Sequence, residues 1–103
     1  MNELEMIIFN MISEVGSARS SYLEGLRAAR EGDFEEAEAK LKEGNENLNN
    51  GHHVHHGLIQ KEASGETIEF KLLLIHAEDL LITTETLKEL VAEFVHVYRK
   101  IEK

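Results

Sequence analysis

Hydrophobic residues recur at helical spacing in three long stretches of this chain. In the first stretch they alternate steps of four and three residues, at Leu4, Ile8, Met11, Val15, Ala18 and Tyr22. This heptad stripe is typical of a helix that packs against other helices. Asn2 and Glu5 form a capping-box-like start, and Gly32 suits the end, so the pattern predicts a helix over about 3–31.

A second helix is predicted over about 34–63, because Asp33 and Glu36 form another capping box before it. The connection of about two residues makes the first two helices antiparallel neighbours. The apolar stripe of this second helix is weak, because small residues occupy it at Ala37, Gly44 and Gly51. Together with the asparagines around them, they indicate either a break near 49–51 or a close approach by another helix. We favour one helix.

A third helix is predicted over about 68–102, after a turn at 64–67. Its stripe follows 4-3 steps throughout, at Leu73, Ala77, Leu80, Thr84, Leu87, Val91, Phe94, Tyr98 and Ile101. No alternation typical of β-strands competes with it. The predicted fold is therefore all-α, an antiparallel three-helix bundle in a single domain spanning residues 1–103.

The start of the third helix is apolar nearly all round. Leu74, Ile75, Leu81 and Ile82 lie away from the predicted stripe. A helix of this kind must be covered on several sides, and two partner helices in an 11.7 kDa chain cover only part of it. We therefore expect the third helix to pack against other subunits.

Composition narrows the classes of partner. The formal net charge of −9 disfavours nucleic acids and anionic membrane surfaces and suits a protein with a basic docking face. The longest apolar run, Leu72 to Ile75, is too short to cross a bilayer, and the first residues lack the basic region of a signal peptide. The chain has no cysteine, which fits the cytoplasm.

The candidate chemistry lies in the stretch KLLLIHAEDLLITT, where His76, Glu78 and Asp79 interrupt apolar residues. On a helix, His76 and Asp79 share one face. One interpretation is a core histidine satisfied by a carboxylate; the other is a nucleophile or ligand. If the helix lies on an oligomer axis, copies of Asp79 converge and repel unless they are protonated or bridged by a hard cation such as Mg²⁺.

A histidine cluster, HHVHH, occupies positions 52–56. His52 and His56 have the i, i+4 spacing of zinc ligands, but the acid of an HExxH motif is missing. We prefer a polar helix face near His76 over a metal site here.

Four segments together resemble the lactose/cellobiose-type enzyme IIA of the bacterial phosphoenolpyruvate-dependent sugar phosphotransferase system. They are VGSARS at 15–20, AREGDFEEA at 29–37, HHVHHGLIQKEASGE at 52–66 and LLIHAEDLLITT at 73–84. The resemblance implies a homotrimer, a bundle of nine helices. It places the phosphorylated histidine on His76 and the buried aspartate that holds an axial metal ion, Mg²⁺ by our expectation, on Asp79.

The resemblance also implies the partners. Phospho-HPr would donate the phosphoryl group and enzyme IIB would receive it, for uptake of a β-linked disaccharide such as lactose, cellobiose or chitobiose. Three positions depart from the family pattern: Glu78 replaces a glutamine, Leu80 a second histidine, and His55 a frequent glutamine. The alternative is a non-catalytic helical assembly or regulatory module, in which His76 and Asp79 are structural or metal-binding only.

Overall fold

Three long α-helices build the protein. The computed structural model describes residues 1–102, so Lys103, the last residue of the predicted domain, lies outside the described part. The helices are α1 (Glu3–Arg30), α2 (Phe34–Ala63) and α3 (Leu72–Ile101). The order of contacts shows that α2 runs antiparallel to both other helices. Tyr22 and Glu14 of α1 contact Asn45 and Asn50 of α2, and His52 and His55 of α2 contact Glu85 and Glu78 of α3. The predicted all-α, three-helix bundle is confirmed for the chain, which is 56 Å long and about 20 Å across.

The two predicted N-terminal caps are both formed. The side chain of Asn2 accepts a hydrogen bond from the Glu5 amide at 2.9 Å, and that of Asp33 accepts one from the Glu36 amide at 3.1 Å. Gly32 lies in the turn between α1 and α2 and has a φ of +84°, a conformation that favours glycine. The short connection that follows fixes α1 and α2 side by side.

The start of α3 differs from the prediction, which placed it at about Ile68. Residues 66–71 are not helical, and α3 begins at Leu72. Ile68 is half-buried and lines a shallow depression with Ile7 of α1 and Leu58 of α2. Ile68 therefore packs against the other two helices from a segment that is not helical.

Helix α2 is continuous from Phe34 to Ala63, as we favoured. Its small residues mark close helix contact: a Cβ on Gly44 would lie 2.6 Å from the Tyr22 ring, and one on Gly51 would lie 2.6 Å from Val15. The weak stripe of α2 therefore reflects tight packing on α1 and not a break.

The buried line of α3 is shifted from the predicted stripe. Ala77, Thr84 and Val91 are buried as predicted, but Leu81 and Val95 join them, whereas Phe94 and Ile101 are exposed. A strict seven-residue repeat drifts by about 20° per heptad on a helix of 3.6 residues per turn, which moves the core line along a long helix. The expectation that Leu81 faces other subunits is therefore wrong.

Candidate functional site

His76 lies in the second turn of α3 and its side chain is exposed. It lines an open depression of about 600 Å³ with Leu72, Leu73, Ile75 and Asp79. Side chains of a helix lean toward its N-terminus, so His76 and Asp79 lie over the first turns of α3. The predicted shared face of His76 and Asp79 is confirmed.

The interpretation of His76 as a core histidine does not fit the protomer. Within residues 1–102, no side-chain hydrogen bond or ion pair reaches the imidazole of His76 or the carboxylate of Asp79. The Thr83 hydroxyl, a possible partner for that carboxylate, donates instead to the Asp79 backbone carbonyl at 2.9 Å. An exposed, unengaged imidazole is suited to nucleophilic attack or to contact with another molecule.

Glu78 occupies a different side of α3 from His76. Residues two apart on a helix do not face each other, and the Glu78 carboxylate contacts His55 of α2, with 2.7 Å between Oε2 and Nε2. Two of the three departures from the family pattern thus form one contact between helices. The acidic side chain is held on the α2 side and does not point into the depression around His76.

Two histidines of the cluster contact different acidic residues of α3. His52 contacts Glu85 of α3 at 2.7 Å, and His55 contacts Glu78. Over residues 1–102, no three histidine, aspartate or glutamate side chains come together in a geometry that could hold a metal ion. The cluster is a polar face of α2, two of its histidines contact acids of α3, and the depression that it lines does not include His76.

The first turn of α3 is free of acidic residues, unlike the first turns of α1 and α2. The N-terminal end of a helix carries partial positive charge from its unpaired amides. An anionic group added to His76 would therefore lie near this positive end with no acid of the first turn opposing it, although Asp79 lines the same depression.

A second set of exposed side chains forms an apolar stripe along α3. We call it the α3 stripe: Leu72, Ile75, Ile82, Leu90, Phe94, Val97 and Ile101. Steps of three, four, seven and eight residues place these side chains along one side of the helix, and Asp79 falls between Ile75 and Ile82 on that side. Soluble monomers rarely expose so long an apolar patch, so the stripe indicates an interaction surface.

Sequence reasoning missed the two His–Glu contacts and the extent of the α3 stripe. The contacts join residues 23 and 33 positions apart, and only the position of α3 against α2 reveals them. The stripe had a signal in the sequence, since Leu72, Ile75, Ile82 and Leu90 do not fit the 4-3 core pattern.

A family model described as the lactose/cellobiose-specific IIA subunit of the PTS system matches residues 6–99. The lichenan-specific phosphotransferase enzyme IIA component of Bacillus subtilis is 46% identical over 99 residues, which cover 96% of this chain and 90% of that protein.

Two solved structures have the same fold. The PTS cellobiose-specific enzyme IIA from Bacillus anthracis superposes with a TM-score of 0.96 at 43% identity, covering 99% of this chain and 94% of that one. A IIA(Chitobiose) chain, solved in solution in complex with HPr, superposes with a TM-score of 0.88 at 30% identity, and the match covers all of both chains.

Proposed function

We propose, from the premise that this chain belongs to the lactose/cellobiose-specific IIA family of the phosphotransferase system, that His76 carries its phosphoryl group. A IIA component of this system is a phosphotransferase for sugars of the lactose/cellobiose type. The observation that supports His76 is its exposed imidazole in an apolar depression, without a partner in the described residues. His52 and His55, by contrast, are engaged by carboxylates.

The chemical step is a transfer between two proteins. A neutral imidazole of His76 attacks phosphorus with the lone pair of one ring nitrogen, Nε2, while Nδ1 keeps its proton. The bond between phosphorus and the donor group of phospho-HPr breaks as the new P–N bond forms, and its electron pair returns to the donor. In the second transfer, a nucleophile of enzyme IIB attacks the same phosphorus and the imidazole leaves. The protein contributes position and charge more than covalent chemistry.

The apolar rim of the depression is suited to docking of both partners in turn. Leu72 and Ile75 are exposed beside His76, and Phe70 extends the apolar surface in the preceding segment. A net charge of −9 favours approach of a basic partner. The related IIA(Chitobiose) chain was solved with HPr, which supports HPr as the donor here.

A carrier of this kind works in the cytoplasm. No helix within residues 1–102 is long and apolar enough to cross a membrane.

The α3 stripe is suited to self-association as a homotrimer of nine helices. It would bury the exposed apolar side chains of the stripe from Ile82 onward, and it would leave Leu72 and Ile75 beside His76 to the docking partners. Asp79 lies along this stripe, so symmetry would bring one carboxylate from each subunit together.

A divalent cation, Mg²⁺ by its preference for oxygen ligands, would fit Asp79 only in such an assembly. One chain offers a single free carboxylate there, and no metal-binding group of three forms within its residues 1–102. The ion would offset the repulsion among carboxylates at the axis; no step of the transfer depends on it.

The test is phosphorylation of the purified protein by phosphorylated HPr, followed by intact mass. We expect wild type to gain one phosphoryl group per chain and His76→Ala to gain none while remaining helical by circular dichroism. His96→Ala, which removes another exposed histidine of α3, is the matched control and should be labelled like wild type. Full labelling of His76→Ala would overturn the assignment.

A further inference from the structure

The first two turns of α3, which carry His76, lack the cap that the other helices have. Side chains of Asn2 and Asp33 accept hydrogen bonds at the starts of α1 and α2. Lys71, at the start of α3, makes no such bond. The first amides of a helix have no partner within the helix, so an uncapped start is more prone to fray.

One polar contact joins these turns to another helix. It is the 2.7 Å contact between His55 Nε2 of α2 and Glu78 Oε2 of α3. Within residues 1–102, no other side-chain hydrogen bond or ion pair connects residues 72–79 to α1 or α2. The two side chains are only 23% and 38% exposed, so water competes less for this contact than for a fully exposed pair.

His55 is attached to a firm part of the fold. It lies one turn beyond Gly51, where α2 packs directly on Val15 of α1, and one turn before the buried Leu58. A contact from this point to Glu78 therefore restrains both the rotation of α3 about its axis and the distance of its start from α2.

We propose that His55 is a positioning residue for phosphoryl transfer at His76, acting through Glu78. This inference rests on the proposed function of His76. Glu78 faces α2, so His55 does not touch the transferred group; it fixes the direction in which α3 presents the imidazole. In-line transfer requires close alignment of nucleophile and phosphorus, and displacements of about 1 Å can reduce the rate by two orders of magnitude.

The experiment measures the initial rate of transfer from phosphorylated HPr to a set of variants. We expect His55→Ala and Glu78→Ala each to slow transfer roughly tenfold. The double variant should be no slower than either single one, because both substitutions remove the same contact. Glu78→Gln should stay within about twofold of wild type, since its amide oxygen still accepts a hydrogen bond from an imidazole N–H.

His52→Ala is the matched control. It removes a contact of equal length, between His52 and Glu85, but two helical turns farther along α3 from Glu78. We expect its melting temperature to fall about as much as that of His55→Ala while its transfer rate stays at the wild-type value. Amide hydrogen exchange in residues 73–77 should be faster in His55→Ala and unchanged in His52→Ala.

Two results would overturn the inference. The first is a wild-type transfer rate in His55→Ala. The second is a Glu78→Ala variant that is faster than wild type, because this would show that the charge of Glu78 matters and its contact does not. Both differ from a failure of the proposed function, in which wild type itself would not be phosphorylated and the role of His55 would fall with that of His76.

Discussion

Three asparagines of α2 have specific partners on α1. The Tyr22 hydroxyl donates to Asn45 Oδ1 at 2.7 Å. Asn47 and Asn50 both donate to the carboxylate of Glu14, at 2.9 and 3.2 Å. Residues that lower helix propensity are thus retained where they connect α2 to α1.

Tyr22 shows how such a buried group affects stability. Burial, with a further contribution from the negative charge of Glu85, raises the pKa of Tyr22 from 10.0 to about 12. The phenol is therefore held neutral in the folded protein at pH values where it ionises in the unfolded chain. Its stabilising contribution is fully present below pH 10 and is lost as the pH rises through about 12.

We therefore predict a specific alkaline sensitivity for wild type. Tyr22→Phe should lower the free energy of unfolding by about 1 kcal/mol at neutral pH, because the hydrogen bond to Asn45 is lost. Between pH 10 and pH 12, wild type should then lose roughly 2 kcal/mol more than this variant. Urea unfolding at matched protein concentration measures both values; an unchanging difference across this pH range would contradict the prediction.

At the scale of elements, the closeness of α1 and α2 depends on glycines at their contact. Gly44 faces the rigid ring of Tyr22, and Gly51 faces Val15. A Cβ added at Gly57 would meet nothing within 4 Å, so this position serves no such contact in the protomer. A Cβ added at position 44 would thus clash with the other helix, whereas one added at position 57 would not.

Alanine substitution should separate the two cases. Gly44→Ala places a Cβ 2.6 Å from the buried Tyr22 ring, so we expect a loss of about 1–3 kcal/mol from overpacking despite better helix propensity. Gly57→Ala has free space and should gain up to about 1 kcal/mol from propensity. Chemical unfolding followed by circular dichroism measures both; a Gly44→Ala variant as stable as wild type would mean that α1 and α2 can move apart without cost.

At the scale of the whole molecule, the α3 stripe holds most of the large apolar side chains that are exposed within residues 1–102. Ile82 and Ile101 are 66% and 68% exposed, although both belong to a helix whose opposite side forms the core. The same side carries Asp79, and the depression around His76 opens beside it. Assembly and phosphoryl transfer would therefore use adjoining parts of one helix.

We predict a mass in solution three times that of the 11.7 kDa chain. Ile82→Glu should dissociate the assembly because it introduces a charge into the centre of the stripe, whereas Met6→Glu, an exposed apolar position on α1, should leave it intact. Light scattering coupled to size exclusion measures the masses. A monomeric wild type would contradict the homotrimer, and so would a trimeric Ile82→Glu.

The same preparation tests the cation. If copies of Asp79 share an ion, a chelator should lower the melting temperature of wild type and leave that of Asp79→Asn unchanged. Equal melting temperatures of wild type with and without chelator would remove the metal from the proposal.

Much of this fold was predictable because local signals agree with tertiary packing. The caps at Asn2 and Asp33 and the turn at Gly32 depend on residues a few positions apart, so the sequence alone defines them. The start of α3 was not predictable in the same way. After the turn at 64–67, Ile68 could either open the helix or pack on α1 and α2 from a non-helical segment, and only the packing decides between them.

The candidate site was likewise only partly predictable from the sequence. His76 and Asp79 could be selected as a pair because helical spacing places them on one face. Their exposure, by contrast, depends on the rotation of α3 about its axis relative to α1 and α2. The observed rotation buries Leu81 and exposes Ile82. The contact of Glu78 with His55 depends on the same rotation.

Three helices, two of their caps and a histidine–aspartate pair on the third helix follow from the sequence alone, because each depends on residues within a few turns of one another; the acidic character follows from composition. Packing between the helices, by contrast, sets which face of α3 is buried, holds Glu78 against α2, and leaves an apolar stripe exposed beside His76. These outcomes arise from contacts between residues far apart in the chain, where packing of whole helices overrides any local preference.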